Sequence, residues 1–142
     1  MNIVLKNLKT VALDSNIFIY YFEENPEFGK AAKKIFDALS SNTLSATTST
    51  VSLIELLAKN DLPENIARQL EEDFFSIPNL SVSEVNREIA ATAARIRRKY
   101  GFRLPDAIQL ACGKLNKAHA FISNDEGLKR FNELKVILIK DI

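Results

Sequence analysis

Thr10-Val11-Ala12-Leu13-Asp14-Ser15-Asn16-Ile17-Phe18-Ile19-Tyr20-Tyr21-Phe22 is the stretch on which the fold of this 142-residue chain turns. Three apolar residues, Val11 to Leu13, end abruptly in a carboxylate, and a second apolar segment then reads as helix. A short buried strand that delivers an acid to its carboxyl end, just before a helix start, is how open parallel sheets place ligand-binding groups. Asp14, Ser15 and Asn16 are also residue types that cap helices by accepting orphan backbone N–H groups. Alone, the stretch therefore supports a cap as readily as a site.

Outward from this stretch, apolar strands alternate with helices. Residues 44–47, 80–82, 118–122 and 136–139 read as further strands, the first of them diluted by small polar residues. Asn25 and Pro26 form a helix start, after which Phe28, Ala32, Ile35 and Leu39 share one face. A helix over residues 50–59 is apolar almost all round, which predicts burial. Asp61 is a candidate cap for the next helix, with Leu62, Ile66, Leu70 and Phe74 as its stripe. Ser83 can cap a long helix that packs Val85, Ile89, Ala93, Ile96 and Tyr100 and stops at Gly101. Pro105 and Asp106 open one more, with Leu104, Ile108, Ala111 and Leu115 on its packing face. Leu128 and Phe131 belong to a short final helix. The alternation predicts a single α/β domain over residues 1–142 around a mostly parallel sheet. Strand order is not legible in it.

Composition narrows the functions. A net charge of +1 argues against a broad electrostatic nucleic-acid binder, while leaving room for a local basic patch. The single Cys112, in an apolar context, reads as a buried thiol and, with no signal peptide in view, fits a reducing cytoplasm. No apolar run approaches the roughly 20 residues of a membrane span. One His and one Cys leave neither a zinc cluster nor a Ser-His-Asp set, so any chemistry falls to carboxylates.

Four acids stand out. Asp14 and Asp125 each follow a strand, and in a parallel sheet both strand ends lie on one edge. Asp106 sits in a helical first turn, where an acid is also simply favourable to the helix dipole. Glu55 lies within the apolar helix. It either pairs with Lys59 at i,i+4 on a solvated strip, or points inward and needs a cation to offset desolvation. Clustered carboxylates repel one another, and a divalent cation with a taste for oxygen ligands resolves that repulsion. Between residues 84 and 103, six cations (Arg87, Arg95, Arg97, Arg98, Lys99 and Arg103) face only Glu84 and Glu88. This is either a helix end complementing its dipole or a phosphate-backbone contact surface.

The ordered set resembles the PIN-domain ribonucleases, particularly the small VapC-type toxins. Leu13-Asp14-Ser15-Asn16-Ile17 is similar to the family's first element and Leu53-Ile54-Glu55-Leu56-Leu57 to its second. Arg103-Leu104-Pro105-Asp106-Ala107-Ile108 is similar to the third, and Ile122-Ser123-Asn124-Asp125-Glu126-Gly127-Leu128 to the fourth. The resemblance spans essentially the whole chain. It implies a three-layer α/β/α fold and Mg²⁺- or Mn²⁺-dependent cleavage of RNA. Carried over, Asp14 and Asp106 would be the principal metal ligands, Glu55 would support the metal and the attacking water, and Asp125 would complete the cluster. Asn16 and Ser123 would orient these groups, and Arg95, Arg97, Arg98, Lys99 and Arg103 would contact RNA. A homodimer and an inhibitory antitoxin partner are implied as well. Ser123 stands where Thr is frequent, and Gly127-Leu128 replaces an acidic-aromatic pair, both departures falling beside Asp125.

Three other readings compete with the toxin nuclease. One is an RNA-processing nuclease without an antitoxin, and another is a non-catalytic RNA-binding or scaffold module. The last is a different Mg²⁺-dependent α/β domain, such as a phosphatase with Asp14 as nucleophile. Against that, the first strand carries no second Asp two residues after Asp14 and no adjacent acidic pair.

Overall fold

The computed structural model describes residues 3–142. Its centre is a five-stranded sheet built from β1 (Thr10–Leu13), β2 (Ser45–Ser49), β3 (Leu80–Ser83), β4 (Ala120–Ser123) and β5 (Val136–Leu138). The order is β3-β2-β1-β4-β5, and every pairing is parallel. The chain builds outward from β1 to β3 and then crosses back to lay β4 on the other side of β1. The strand order thus reverses between β1 and β4, where Leu13 pairs with Ile122. Ligand sites in open parallel sheets form at the carboxyl ends of strands flanking such a reversal.

Period-2 alternation sends successive side chains to opposite faces, and both faces are apolar. On one face, Val11, Leu13, Ala120 and Ile122 pack with helix α1 (Ser15–Phe22) and helix α2 (Gly29–Ser40), and with Leu56 and Phe74. The last two belong to helices α3 (Thr50–Leu57) and α4 (Glu64–Phe75). On the other face, Ala12 and Phe121 pack with helices α5 (Arg87–Tyr100) and α6 (Leu104–Leu115). This is the expected three-layer α/β/α arrangement. Cys112 is buried as expected, 1% exposed, and its burial pushes the thiol pKa up. Among the described residues no helix is long and apolar enough to cross a membrane.

Several local expectations are corrected. Asn25 caps a turn rather than a helix: its Oδ1 accepts from the backbone N–H groups of Glu27 and Phe28, and α2 starts only at Gly29. Asp61 adopts a left-handed backbone (φ 61°), and Pro63 takes the cap position of α4 without a side-chain bond. Ser83 ends β3, so Asn86 caps α5 instead, accepting from Ile89 N–H at 2.9 Å. Helix α3 is buried on one side only, since Ile54 is 63% exposed. The short final helix is a 3₁₀ turn over Glu126–Arg130. Gly101 does end α5 in the left-handed conformation, φ 72°.

Helix α6 approaches β1 closely because Gly113 lacks a side chain. A Cβ there would lie 2.7 Å from Ala12 Cβ and 3.2 Å from Leu134 Cδ2. Gly113→Ala is expected to destabilise the protein by about 1–3 kcal/mol through overpacking, read as a lowered thermal midpoint. A wild-type midpoint would show that α6 has room to lift from the sheet.

Candidate active site at the carboxyl edge of the sheet

Asp14 follows the last residue of β1 and caps α1, so the cap and the candidate ligand are one residue. Its backbone N–H donates to the Ile122 carbonyl at 3.0 Å, continuing the β1–β4 ladder to the strand ends. Its Oδ1 accepts from the Ser15 backbone N–H at 2.8 Å and its Oδ2 from the Ser123 hydroxyl at 2.7 Å. Only 6% of the residue is exposed. Burial pushes the carboxyl up from 3.8 to about 6, and the charges of Asp106 and Glu55 add to that rise. The hydrogen bonds from Ser123 and Ser15 act the other way, because they favour the carboxylate.

Asp106 lies in the first turn of α6 and is 7% exposed. Its partner is Arg103, whose Nε and Nη2 donate to Oδ2 at 3.1 Å and Oδ1 at 3.4 Å. The Arg103 side chain is itself 77% exposed and also feels the charges of Asp125 and Glu55. Asp14 and Arg103 both feel the charges of Asp106 and Glu55, and Arg103 feels Asp125 as well. The acids differ. Asp125 is half-buried and caps the 3₁₀ turn through Gly127 N–H. Ser123 joins the two strand ends, donating to Asp14 and accepting from Asp125 N–H at 3.0 Å. Glu55 is exposed, so it is neither an inward carboxylate nor the partner of Lys59, which reaches Glu23 instead.

The predicted basic stretch does not form one surface. Arg95 holds Glu133 with two bonds, at 2.8 and 3.3 Å, while Lys99 and Lys114 close on the same carboxylate. Arg95 first, then Lys114, keeps the Glu133 carboxyl well below its usual range. Arg97 donates to the Phe102 carbonyl at 3.1 Å. Arg98 lines an apolar cavity of about 390 Å³ between α5 and α6, and only Arg103 stands at the acidic edge. The larger cavity, about 740 Å³ near Tyr21, Pro26 and Ile77, is lined by none of the four acids.

Among the described residues, no three His, Cys, Asp or Glu side chains are already placed to hold a metal ion. The donor chemistry nevertheless fits a hard divalent cation. Two buried acids supply oxygen, Asp106 already attracts a cationic group, and Asn16 Oδ1 is buried without a hydrogen-bond partner. Such orphaned buried acceptors are rare and call for an explanation. Sequence reading missed two features here. One is Arg103 as a counter-ion of Asp106, and the other is the buried amide of Gln109 one turn farther along α6. The second had a signal: a polar residue set among Ala107, Leu110 and Ala111 on a packed helix.

Asp14 is kept at a cost to stability. Its carboxyl is protonated in both folded and unfolded states well below pH 3.8, so there the cost vanishes. As pH rises from about 4 to about 6, the unfolded chain ionises first and folding weakens, by up to roughly 3 kcal/mol. Asp14→Asn should therefore melt higher than wild type above pH 6, by up to roughly 10 °C in chelator. That gain should fade near pH 4, as scanning calorimetry at the two pH values will show.

The family model of the PIN domain matches residues 11–134. Comparison with curated protein sequences yields no match. Solved structures with this fold include VapBC2 from Rickettsia felis bound to a promoter DNA fragment, 15% identical, with TM-score 0.70 over 91% of this chain and 98% of that one. A toxin–antitoxin complex from Klebsiella pneumoniae is 20% identical, with TM-score 0.66 over 94% and 100% of the two chains. DNA-bound VapBC from Salmonella typhimurium is 18% identical, with TM-score 0.68 over 93% and 98%. At such identities the structures testify to the fold, while the family model, spanning both strand ends and three of the helices that surround the acids, testifies to kinship: the chain belongs to the PIN domain family.

Proposed function

We propose that the chain is a divalent-metal-dependent endoribonuclease, hydrolysing RNA phosphodiester bonds as the toxin of a cytoplasmic toxin–antitoxin pair. One observation carries the reading: two buried acids from separate elements, Asp14 at the strand-order reversal and Asp106 in the first turn of α6, feel each other's charge, and the Asp14 carboxyl is pushed up to about 6. A cap alone does not require this, since Ser or Asn would cap α1 without electrostatic cost. The likeness to toxin–antitoxin complexes supports the toxin assignment and an antitoxin partner.

Asp14 and Asp106 would hold Mg²⁺ or Mn²⁺, with Glu55 and Asp125 at the margin and Asn16 offering its amide oxygen. Bound there, the ion supplies Lewis-acid polarisation of a phosphoryl oxygen and a lowered pKa for water. Ser15 N–H and the Ser123 hydroxyl fix the two Asp14 oxygens, leaving their remaining lone pairs in set directions. Glu55, exposed, is available to take a proton from water entering from solvent. Arg103 neutralises Asp106 and, turned outward, presents a guanidinium fork suited to an RNA phosphate. No observation favours a binding-only module, because Arg95, Lys99 and Arg97 on α5 are engaged within the protein.

Purified protein is expected to cut a total-RNA pool into discrete fragments with Mg²⁺ or Mn²⁺ and not with EDTA. Asp106→Asn should reduce cleavage at least about 100-fold while its circular dichroism stays native; full activity in a folded variant would overturn the ligand assignment. Arg103→Ala should have opposite effects in two assays. Freed of its counter-ion, Asp106 should take Mn²⁺ more tightly in a calorimetric titration, while RNA affinity falls in a filter-binding assay.

A further inference from the structure

Beneath the acidic edge lies a closed set of polar side chains that cleavage itself does not use. Gln109, 2% exposed, sits one turn past Asp106 on α6 and reaches toward α1 and α3. Its Nε2 donates to Ser15 Oγ at 2.9 Å and to Ser52 Oγ at 2.7 Å, and its Oε1 accepts from Ser49 Oγ at 2.7 Å. Thr48 Oγ1 lies 2.7 Å from Ser52 Oγ and donates to the Leu13 carbonyl at 2.9 Å. The proton directions are fixed. A carbonyl only accepts, so Thr48 gives its proton to Leu13 and takes one from Ser52. Ser49 Oγ already accepts from Val51 N–H at 3.2 Å and gives its proton to Gln109. Both amide protons and the amide oxygen of Gln109 are thereby used.

Every contact adjoins an acid. Leu13 precedes Asp14 and Ser15 follows it, Ser52 lies one turn before Glu55, and Gln109 lies one turn after Asp106. We infer that Gln109 is the positioning residue of the site: its carboxamide ties α6 to α1 and α3 and so holds the two buried carboxylates, Asp14 and Asp106, at the spacing from which they bind a cation, with Glu55 on the margin. The inference rests on the metal-binding reading above.

Mutual repulsion drives the acids apart, and apolar packing, which is non-directional, resists a small sliding of one helix against another only weakly. Three short bonds from one planar amide have a single satisfying geometry, and a displacement breaks them. Stability alone would not demand such a set, since apolar groups of the same shape in place of both partners are nearly neutral. Placement of ligands to a fraction of an ångström is a better reason for it.

The test is a calorimetric Mn²⁺ titration of wild type, Gln109→Met and Ser52→Ala, with the metal-free thermal midpoint of each. Gln109→Met should bind Mn²⁺ roughly 10–100-fold more weakly, in the range found when groups behind metal ligands are removed, and Ser52→Ala roughly 10-fold more weakly. A network of structural importance only would lower the metal-free midpoint and leave the Mn²⁺ affinity of the folded protein unchanged, which would overturn the positioning role. If Gln109→Met does not fold, Ser52→Ala decides alone: weakened binding supports the role, and wild-type binding overturns it. Folded wild type that binds no Mn²⁺ sinks the metal reading and takes this inference with it, an outcome distinct from variants that bind as wild type does.

Discussion

Holding an acid at the buried end of a central strand is the constraint from which the rest of this molecule follows. The Asp14 carboxyl is nearly enclosed, and two hydrogen bonds do not fully offset its desolvation, so its pKa stands above the ordinary range. Such a group survives only where neighbouring elements leave it no alternative position. Here β4 pins its backbone, Ser123 and Ser15 pin its two oxygens, and α1 begins on top of it. The stabilising surplus comes from the sheet beneath, covered with apolar side chains on both faces.

The second acid depends on close packing. Asp106 comes to the edge because α6 lies low on β1, with Gly113 against Ala12. Ala12 is itself small, so the interface is tight from both sides and the first turn of α6 is carried inward. The same approach places Gln109 between α1 and α3, where its amide can be satisfied only by the hydroxyls that line them.

Charge is sorted by the fold rather than by its density along the chain. Arg95 and Lys99 of α5 and Lys114 of α6 converge on Glu133, with Tyr100 donating to the same carboxylate, and thereby fasten α5 and α6 to the segment entering β5. Arg103, beyond the left-handed turn at Gly101, is separated from that cluster and faces the acids. A run of basic residues that looks uniform in sequence therefore divides: Arg95 and Lys99 serve a structural clamp, Arg97 bonds a backbone carbonyl, Arg98 lines the cavity between α5 and α6, and Arg103 is a counter-ion.

The elements themselves were legible in the sequence, because their signals are local: short apolar runs in the strands, helical spacing in α2 and α5, and a glycine at the end of α5. So was the position of Asp14 and Asp125 after strand ends on one sheet edge, since parallel strands put their carboxyl ends together, and that of Asp106 in a helical first turn. Helix starts were read less well, because Asn25, Asp61 and Ser83 satisfy turns or strands as readily as caps. The tertiary structure alone decided the strand order, the exposure of Glu55, the pairing of Arg103 with Asp106, and the reach of Gln109 to Ser15. The reason is physical. Periodicity and capping act within a few residues along the chain, whereas the contacts that shape the site, such as Ser123 to Asp14, join residues 109 apart and exist only once the helices have docked on the sheet.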